Sequence, residues 1–125
     1  SSFDLVVSKW ELQTADAIEP IYQEVERVLR PGGRIVFLIC HPTRQFIEKK
    51  KMGKDYFRKE LVKSEFFNGQ ICAIEPSHTF NEYFSPLFFR HFSLEAFEEG
   101  FDSGAEKVGG DIYPSFFIIT ALVKK

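Results

Sequence analysis

The sequence predicts an α/β domain built around a mixed sheet, and three observations carry that reading. A strand-like segment at residues 3–8, a helix-periodic segment and an apolar run at 35–40 follow one another in the order of a strand–helix–strand crossover. The run at 35–40 (I-V-F-L-I-C) has no polar break, so both of its faces are expected to be covered, as in a central strand of an α/β sheet. A second apolar run at 115–123 follows an alternating segment at 93–99 with only the loop 100–114 between them. That short return makes the last two strands an antiparallel pair.

The elements follow in order. The opening strand, from Phe3 to Ser8, is mostly apolar and is expected to be short and buried, with Asp4 at its entry. Asp16-Ala17-Ile18-Glu19 has the form of a capping box. Pro20 is comfortable only in a first turn, so the helix is expected to start one or two residues later than the box implies. Ile18, Ile21, Tyr22, Val25, Val28 and Leu29 then recur at helical spacing and form one apolar stripe. Arg27 and Arg30 suit the carboxyl end of that helix, and Pro31-Gly32-Gly33 is expected to stop it. Residues 93–99 alternate apolar and polar, the pattern of an edge strand with one wet face. Thr79-Phe80-Asn81-Glu82 is a second capping box, opening a helix with Phe80, Tyr83, Phe84, Leu87 and Phe88 that Pro86 should bend or shorten. Residues 42–78 are too long for a plain connector. They hold a basic stretch, Glu48-Lys49-Lys50-Lys51, and Asn68-Gly69 between apolar flanks, which reads as a hairpin turn. A helical piece followed by a hairpin, together forming a cap, is the expected arrangement.

Composition excludes several classes of function. The chain has 125 residues, enough for a single core, and a net charge of −2, which gives no global attraction to nucleic acid or to an anionic membrane. Lys49-Lys50-Lys51 is short, and a solvated helix face is the expectation for it. No apolar stretch approaches a membrane span and no signal peptide opens the chain, so the expected location is cytoplasmic. Cys40 and Cys72 are too few for a disulfide framework, and Cys40 is expected to be a buried free thiol. With His41, His78 and His91 they match no metal-ligand spacing, so no metal is expected. Fifteen phenylalanines imply a ring-rich core or pocket, and equally exposed apolar surface if part of the domain lies elsewhere. Gly32-Gly33 ends a helix instead of opening one after a strand, the wrong context for a phosphate loop, and Gly109-Gly110 reads as a plain loop.

Arg27-Val28-Leu29-Arg30-Pro31-Gly32-Gly33 before the run at 35–40, with Asp4-Leu5-Val6-Val7-Ser8 upstream, resembles the second half of a class I S-adenosylmethionine-dependent methyltransferase. The resemblance covers nearly the whole chain and is closest to the small-molecule branch. Cys40-His41-Pro42, Asp55-Tyr56-Phe57 and Asn81-Glu82-Tyr83-Phe84-Ser85-Pro86-Leu87 carry it further. It implies the C-terminal half of a Rossmann-like sheet (family strands 4-5-7-6, the last strand antiparallel) with a helix and hairpin cap. Residues 1–125 would then be one partial domain, with 42–78 inserted as the cap. The implied cofactor is S-adenosylmethionine, its main binding loop outside this chain, and the implied partner is a small-molecule methyl acceptor.

The resemblance places Ser8, Lys9 and Trp10 beside the cofactor, at the carboxyl end of a strand, where open α/β sheets bind ligands. Trp10 lines the pocket or fills space beside the next helix. Many relatives carry Leu-x-Leu-His downstream; here Gln13 replaces the His. His41 is the candidate catalytic and acceptor-contacting residue, either as a weak base facing the pocket or as a hydrogen-bonded group closing the strand. Tyr56, Phe57 and His78 would shape an apolar acceptor pocket. Two further readings compete: a non-catalytic binding or interaction domain of the same fold, and an unrelated α/β domain, disfavoured by the antiparallel final pair. If the first half lies elsewhere, the strand at 3–8 has an unpaired edge through which the chain would self-associate.

Overall fold

The computed structural model describes residues 2–50, 55–66, 70–101, 107–108 and 111–125. Strand β1 (Phe3–Lys9) leads through a 3-10 turn (Leu12–Thr14) into helix α1 (Glu19–Val28) and strand β2 (Leu29–Cys40). A single turn, α2 (Pro42–Arg44), continues as a π-helical turn (Gln45–Lys49) and is followed by the hairpin β3 (Leu61–Phe66) and β4 (Ile71–Pro76). Short helices α3 (Phe80–Tyr83) and α4 (Pro86–His91) precede β5 (Phe92–Gly100), the two-residue strands β6 (Lys107–Val108) and β7 (Asp111–Ile112), and β8 (Phe116–Val123). The main sheet has the order β1-β2-β8-β5. β1 and β2 are parallel, and β8 runs antiparallel to both β2 and β5. The predicted α/β architecture and antiparallel final pair are therefore present.

One face of this sheet makes the core. Ile35, Phe37 and Ile39 of β2 and Phe117, Ile119, Ala121 and Val123 of β8 are buried beneath Tyr22, Val25, Tyr83, Phe88 and Phe92. The Tyr22 hydroxyl donates to the Tyr83 carbonyl at 2.8 Å, joining α1 to α3 inside that core, and burial pushes its pKa up. The opposite face is thinly covered. Val36 and Leu38 are half-buried, as are Ile118 and Leu122, so the expectation that both faces of 35–40 are covered is corrected. Residues 3–8 are likewise not a buried strand, since Phe3, Leu5 and Val7 are 56%, 53% and 65% exposed. Helices α1, α3 and α4 pack on the core side.

Local chemistry accounts for further departures. Asp16 does not cap α1: Pro20 must sit in the first turn, so the helix starts at Glu19 with Ile18 at its N-cap and no side-chain cap. Nor do Pro31, Gly32 and Gly33 stop it. The helix ends at Val28 because Leu29 turns extended and pairs with Phe3, and the following residues belong to β2. The register jumps between Phe3–Leu29 and Leu5–Arg34, so the Pro-Gly-Gly segment bulges, with Gly32 at φ +83°. Arg30 thereby leaves the helix end and pairs with Asp4 at 3.3 Å.

The second capping box is present, with Thr79 and Glu82 bonding reciprocally across the start of α3. Pro86 splits the ring-bearing helix in two, and Ser85 caps the second piece by accepting the Phe88 N–H at 3.2 Å. The hairpin pairs Phe66 with Ile71, while Asn68 and Gly69 lie outside the described residues, as do Gly109 and Gly110. β5 is an edge strand, but residues 93–99 are exposed on both faces, where one wet face was expected. Lys50 also corrects its expectation of a solvated face: it is buried, and its ammonium donates to the carbonyls of Asp55, Tyr56 and Arg58. Residue 51 lies outside the described residues.

Candidate functional site

Because β1 and β2 are parallel, their carboxyl ends lie side by side. Lys9 pairs with Leu38, and the Trp10 N–H donates to the Leu38 carbonyl at 2.9 Å. Trp10 has φ +60°, the left-handed region, and is the only non-glycine residue among the described ones to adopt it. Such backbone strain persists only where neighbours hold it. Gln13 is that neighbour: its amide Nε2 donates to the Trp10 carbonyl at 2.8 Å and its Oε1 accepts the Cys40 N–H at 3.3 Å. One buried side chain thus joins the ends of both strands. The Trp10 ring stands edge-on to Phe116 of β8, centroids 6.1 Å apart.

His41 follows directly on β2. Its Nδ1 accepts the Thr43 N–H at 3.0 Å, which caps α2, so the ring proton sits on Nε2 and points at Glu99 Oε2, 2.5 Å away. The ring is 2% exposed and stands perpendicular to Phe80 at 5.0 Å. Burial lowers its pKa, and the Glu99 carboxylate offsets only part of that. His41 is therefore a neutral donor closing the strand.

His78 is buried as well. Its Nε2 lies 2.8 Å from the Gln13 carbonyl and its Nδ1 2.7 Å from Glu82 Oε2, while its N–H donates to Gln45 Oε1 at 2.9 Å. Burial pushes the Glu82 carboxyl up, but hydrogen bonds from His78 and Lys59 outweigh it and leave the pKa below the ordinary carboxylate value. Tyr56, half-buried, accepts the Phe80 N–H on its hydroxyl at 2.9 Å, and burial raises its pKa. Phe57 is 72% exposed, with its N–H held by Asp55 Oδ1 at 2.9 Å.

The structure thus brings His41, Tyr56 and His78 together around the start of α3, and places Ser8, Lys9 and Trp10 beside them across Gln13. Phe57 packs edge-on against Tyr56, centroids 5.1 Å apart, at the exposed margin of that cluster. Two residues escaped the sequence reading. Gln13 was visible only as a departure from the family pattern, and Glu99 looked like one acid among several on an edge strand. Its spacing of two from Phe97 is the signal that both share a face. An open cleft of about 670 Å³ lies between the start of α1 and α3–α4, lined by Asp16, Glu19, Gln23, Asn81, Glu82 and Leu87 among others. None of the predicted site residues lines it, so it is not the strand-end site. Among the described residues no group of three or more His, Cys, Asp or Glu side chains is placed to hold a metal ion.

This arrangement, a parallel pair with converging carboxyl ends followed by an antiparallel final strand inserted between β2 and β5, is the class I S-adenosylmethionine-dependent methyltransferase fold over its carboxyl-terminal part. The family profile described as a methyltransferase domain matches residues 1–37, from β1 into β2. A solved protein from Listeria monocytogenes, described as an S-adenosylmethionine-dependent methyltransferase, superposes with a TM-score of 0.74 at 20% identity, covering 99% of this chain and 62% of its own. One from Mesorhizobium loti, also an S-adenosylmethionine-dependent methyltransferase, gives 0.70 at 20% identity, covering 97% and 62%. The glycopeptide N-methyltransferase MtfA, complexed with S-adenosyl-L-methionine, gives 0.61 at 14% identity, covering 98% and 58%. The chain spans about three-fifths of the length of these structures. No curated protein sequence matches it.

Proposed function

We propose that this chain is the C-terminal portion of an S-adenosylmethionine-dependent methyltransferase that acts on a small-molecule acceptor and needs an amino-terminal portion of the fold for activity. Residues 1–125 then form one partial domain, with 42–78 as a cap over the strand ends. The observation that carries the reading is the strand order β1-β2-β8-β5 with β8 antiparallel, joined to the match of the methyltransferase domain profile over β1, α1 and β2.

The residues present fit one end of the cofactor. Ser8 and Lys9, paired with β2 at the carboxyl end of β1, and Trp10, whose carbonyl Gln13 holds, would border the methionine portion. Among the described residues the glycines have other duties. Gly33 packs against Arg30 and Leu29, and Gly100 lies against the Phe116 ring. No glycine-rich cradle for the adenosyl portion is formed by them. The bound cofactor supplies an electrophilic methyl on sulfur, and transfer from it is chiefly a matter of positioning. His41, Tyr56 and His78 organise the acceptor side through the start of α3, and Phe57 offers an apolar surface to it. A reducing, cytoplasmic setting suits the buried free thiol of Cys40. No helix among the described residues is long and apolar enough to cross a membrane.

Calorimetry tests the reading. S-adenosylmethionine titrated into the 125-residue chain is expected to give no tight, stoichiometric binding. A protein that joins this chain to an amino-terminal portion of the fold should bind the cofactor. Tight binding by the chain alone refutes the need for a second portion, and no binding by the extended protein refutes the methyltransferase assignment.

A further inference from the structure

Phe97 and Glu99 are alternate residues of the edge strand β5, and they pair with Ile119 and Phe117 of β8, so both face the helix-covered side of the sheet. There Phe97 meets three rings, Phe117 at 5.7 Å, Phe84 at 5.8 Å and Phe80 at 6.1 Å, while Phe80 and Phe84 stack nearly parallel, 17° apart in plane. The cluster is not sealed. Phe97 is 40% exposed, and Phe80 and Phe84 are only partly buried. Beside it stands the Glu99 carboxylate, with a side chain 46% exposed. Oε2 is fixed by the N–H of His41, whose own ring is 2% exposed and stands on Phe80 at 5.0 Å. Among the described residues Oε1 has no partner, and no Lys or Arg pairs with the carboxylate. Two features that attract a soft cation therefore converge: open aromatic faces and a half-desolvated carboxylate whose position is set by a buried donor.

We propose that Phe80, Phe84, Phe97 and Glu99 form a binding site for a small organic cation, an ammonium or quaternary ammonium group, with His41 as the residue that positions Glu99. A metal ion or an ammonium ion gains little from rings that also exclude water, whereas an alkylated ammonium gains both the ring contact and the charge. The neutral His41 is suited to its part. It donates to Glu99 without cancelling the negative charge, and Thr43 keeps the ring in the tautomer that does so. The site does not depend on methyl transfer, and none of Phe80, Phe84, Phe97 and Glu99 belongs to the residues placed beside the cofactor.

The test is a titration of the isotope-labelled chain with choline, followed by amide and aromatic chemical shifts, with uncharged 3,3-dimethylbutan-1-ol as the shape-matched control. Choline is expected to shift the signals of Phe97, Glu99 and Phe80 in a saturable way, with the alcohol binding roughly tenfold more weakly or worse. Glu99→Gln keeps an acceptor for His41 and so preserves the fold, yet should weaken choline roughly tenfold and leave the alcohol unchanged. Phe97→Leu, which keeps an apolar side chain at the edge, should weaken choline alone. Equal binding of choline and the alcohol, an unchanged affinity in Glu99→Gln, or no saturable shift at these residues each overturns the site.

Discussion

Single buried polar side chains hold the strand ends of this chain together, and their protonation states follow from what each atom faces. His41 Nδ1 accepts a backbone N–H and so must be unprotonated, and burial lowers the pKa of the ring. A base with a depressed folded pKa contributes stability that is fully present above its unfolded value, about 6.5, and lost as the pH falls below it toward the folded value. Glu82 is depressed in the same direction, by hydrogen bonds from His78 and Lys59 that overcome its burial, and its contribution disappears in a lower window, below about 4.3. Urea midpoints between pH 8 and pH 5 should therefore fall in the wild-type chain, with a slope from His41 of at most about 1.4 kcal/mol per pH unit. His41→Asn retains an oxygen to cap α2 and removes the titrating ring, so its profile should be flatter over that range. Equal slopes for the two proteins would remove His41 as the cause. A hydrogen-bonded His41 closing its strand was among the readings the residue string allowed, but its partner was not legible there. His41 and Glu99 are 58 positions apart, and Gln13 meets Cys40 only because the strands that carry them are parallel neighbours.

At the scale of elements, backbone chemistry decides where helix gives way to strand. The Pro-Gly-Gly segment contains two glycines of different character. A Cβ on Gly33 would lie 2.9 Å from the Arg30 carbonyl oxygen and 2.9 Å from Leu29 Cδ2, and the first of these is backbone that cannot move aside cheaply. Gly32 has open space around it and is required only for its φ of +83°. Gly33→Ala should thus cost about 2–3 kcal/mol through overpacking, and Gly32→Ala about 1 kcal/mol through backbone strain. Denaturation midpoints of the two variants in parallel check the order, and a larger loss at Gly32 would contradict the close approach. Elements whose signal is local were readable: the capping box at Thr79 and Glu82, the split at Pro86, the hairpin around Asn68-Gly69, and α1 from its apolar stripe. Those that depend on a distant partner were not. The carboxyl end of α1 was misplaced because pairing between Phe3 and Leu29, invisible in sequence, captures the chain before Pro31 acts. Lys50 was read as solvated because three carbonyls gathered by the turn at 55–58 leave no trace in charge patterning.

For the whole molecule the decisive fact is an asymmetry between the two faces and the two edges of one sheet. Helices cover one face, and on the other Leu5 and Val7 are 53% and 65% exposed next to half-buried Val36 and Leu38. Both outer strands leave backbone groups unpaired among the described residues, but they are not equally open to another chain. β5 carries Glu95, Glu98 and Glu99 and a register shift between Leu94 and Ala96, devices that discourage further pairing. β1 has charge only at Asp4 and Lys9, and between them lies Leu5-Val6-Val7-Ser8. An apolar edge beside an apolar face is a template for addition of a strand. Association of this chain should accordingly proceed through residues 3–8. Light scattering over rising concentration is expected to show a growing mass for the wild type. The double substitution Leu5→Lys with Val7→Lys should hold the chain at monomer mass, since two added cations on the exposed face oppose stacking and pairing alike. Leu94→Lys on the opposite edge should leave association as it is. A wild-type chain that stays monomeric, or one rescued by Leu94→Lys and not by the pair on β1, would show that the β1 edge is not the surface on which copies meet.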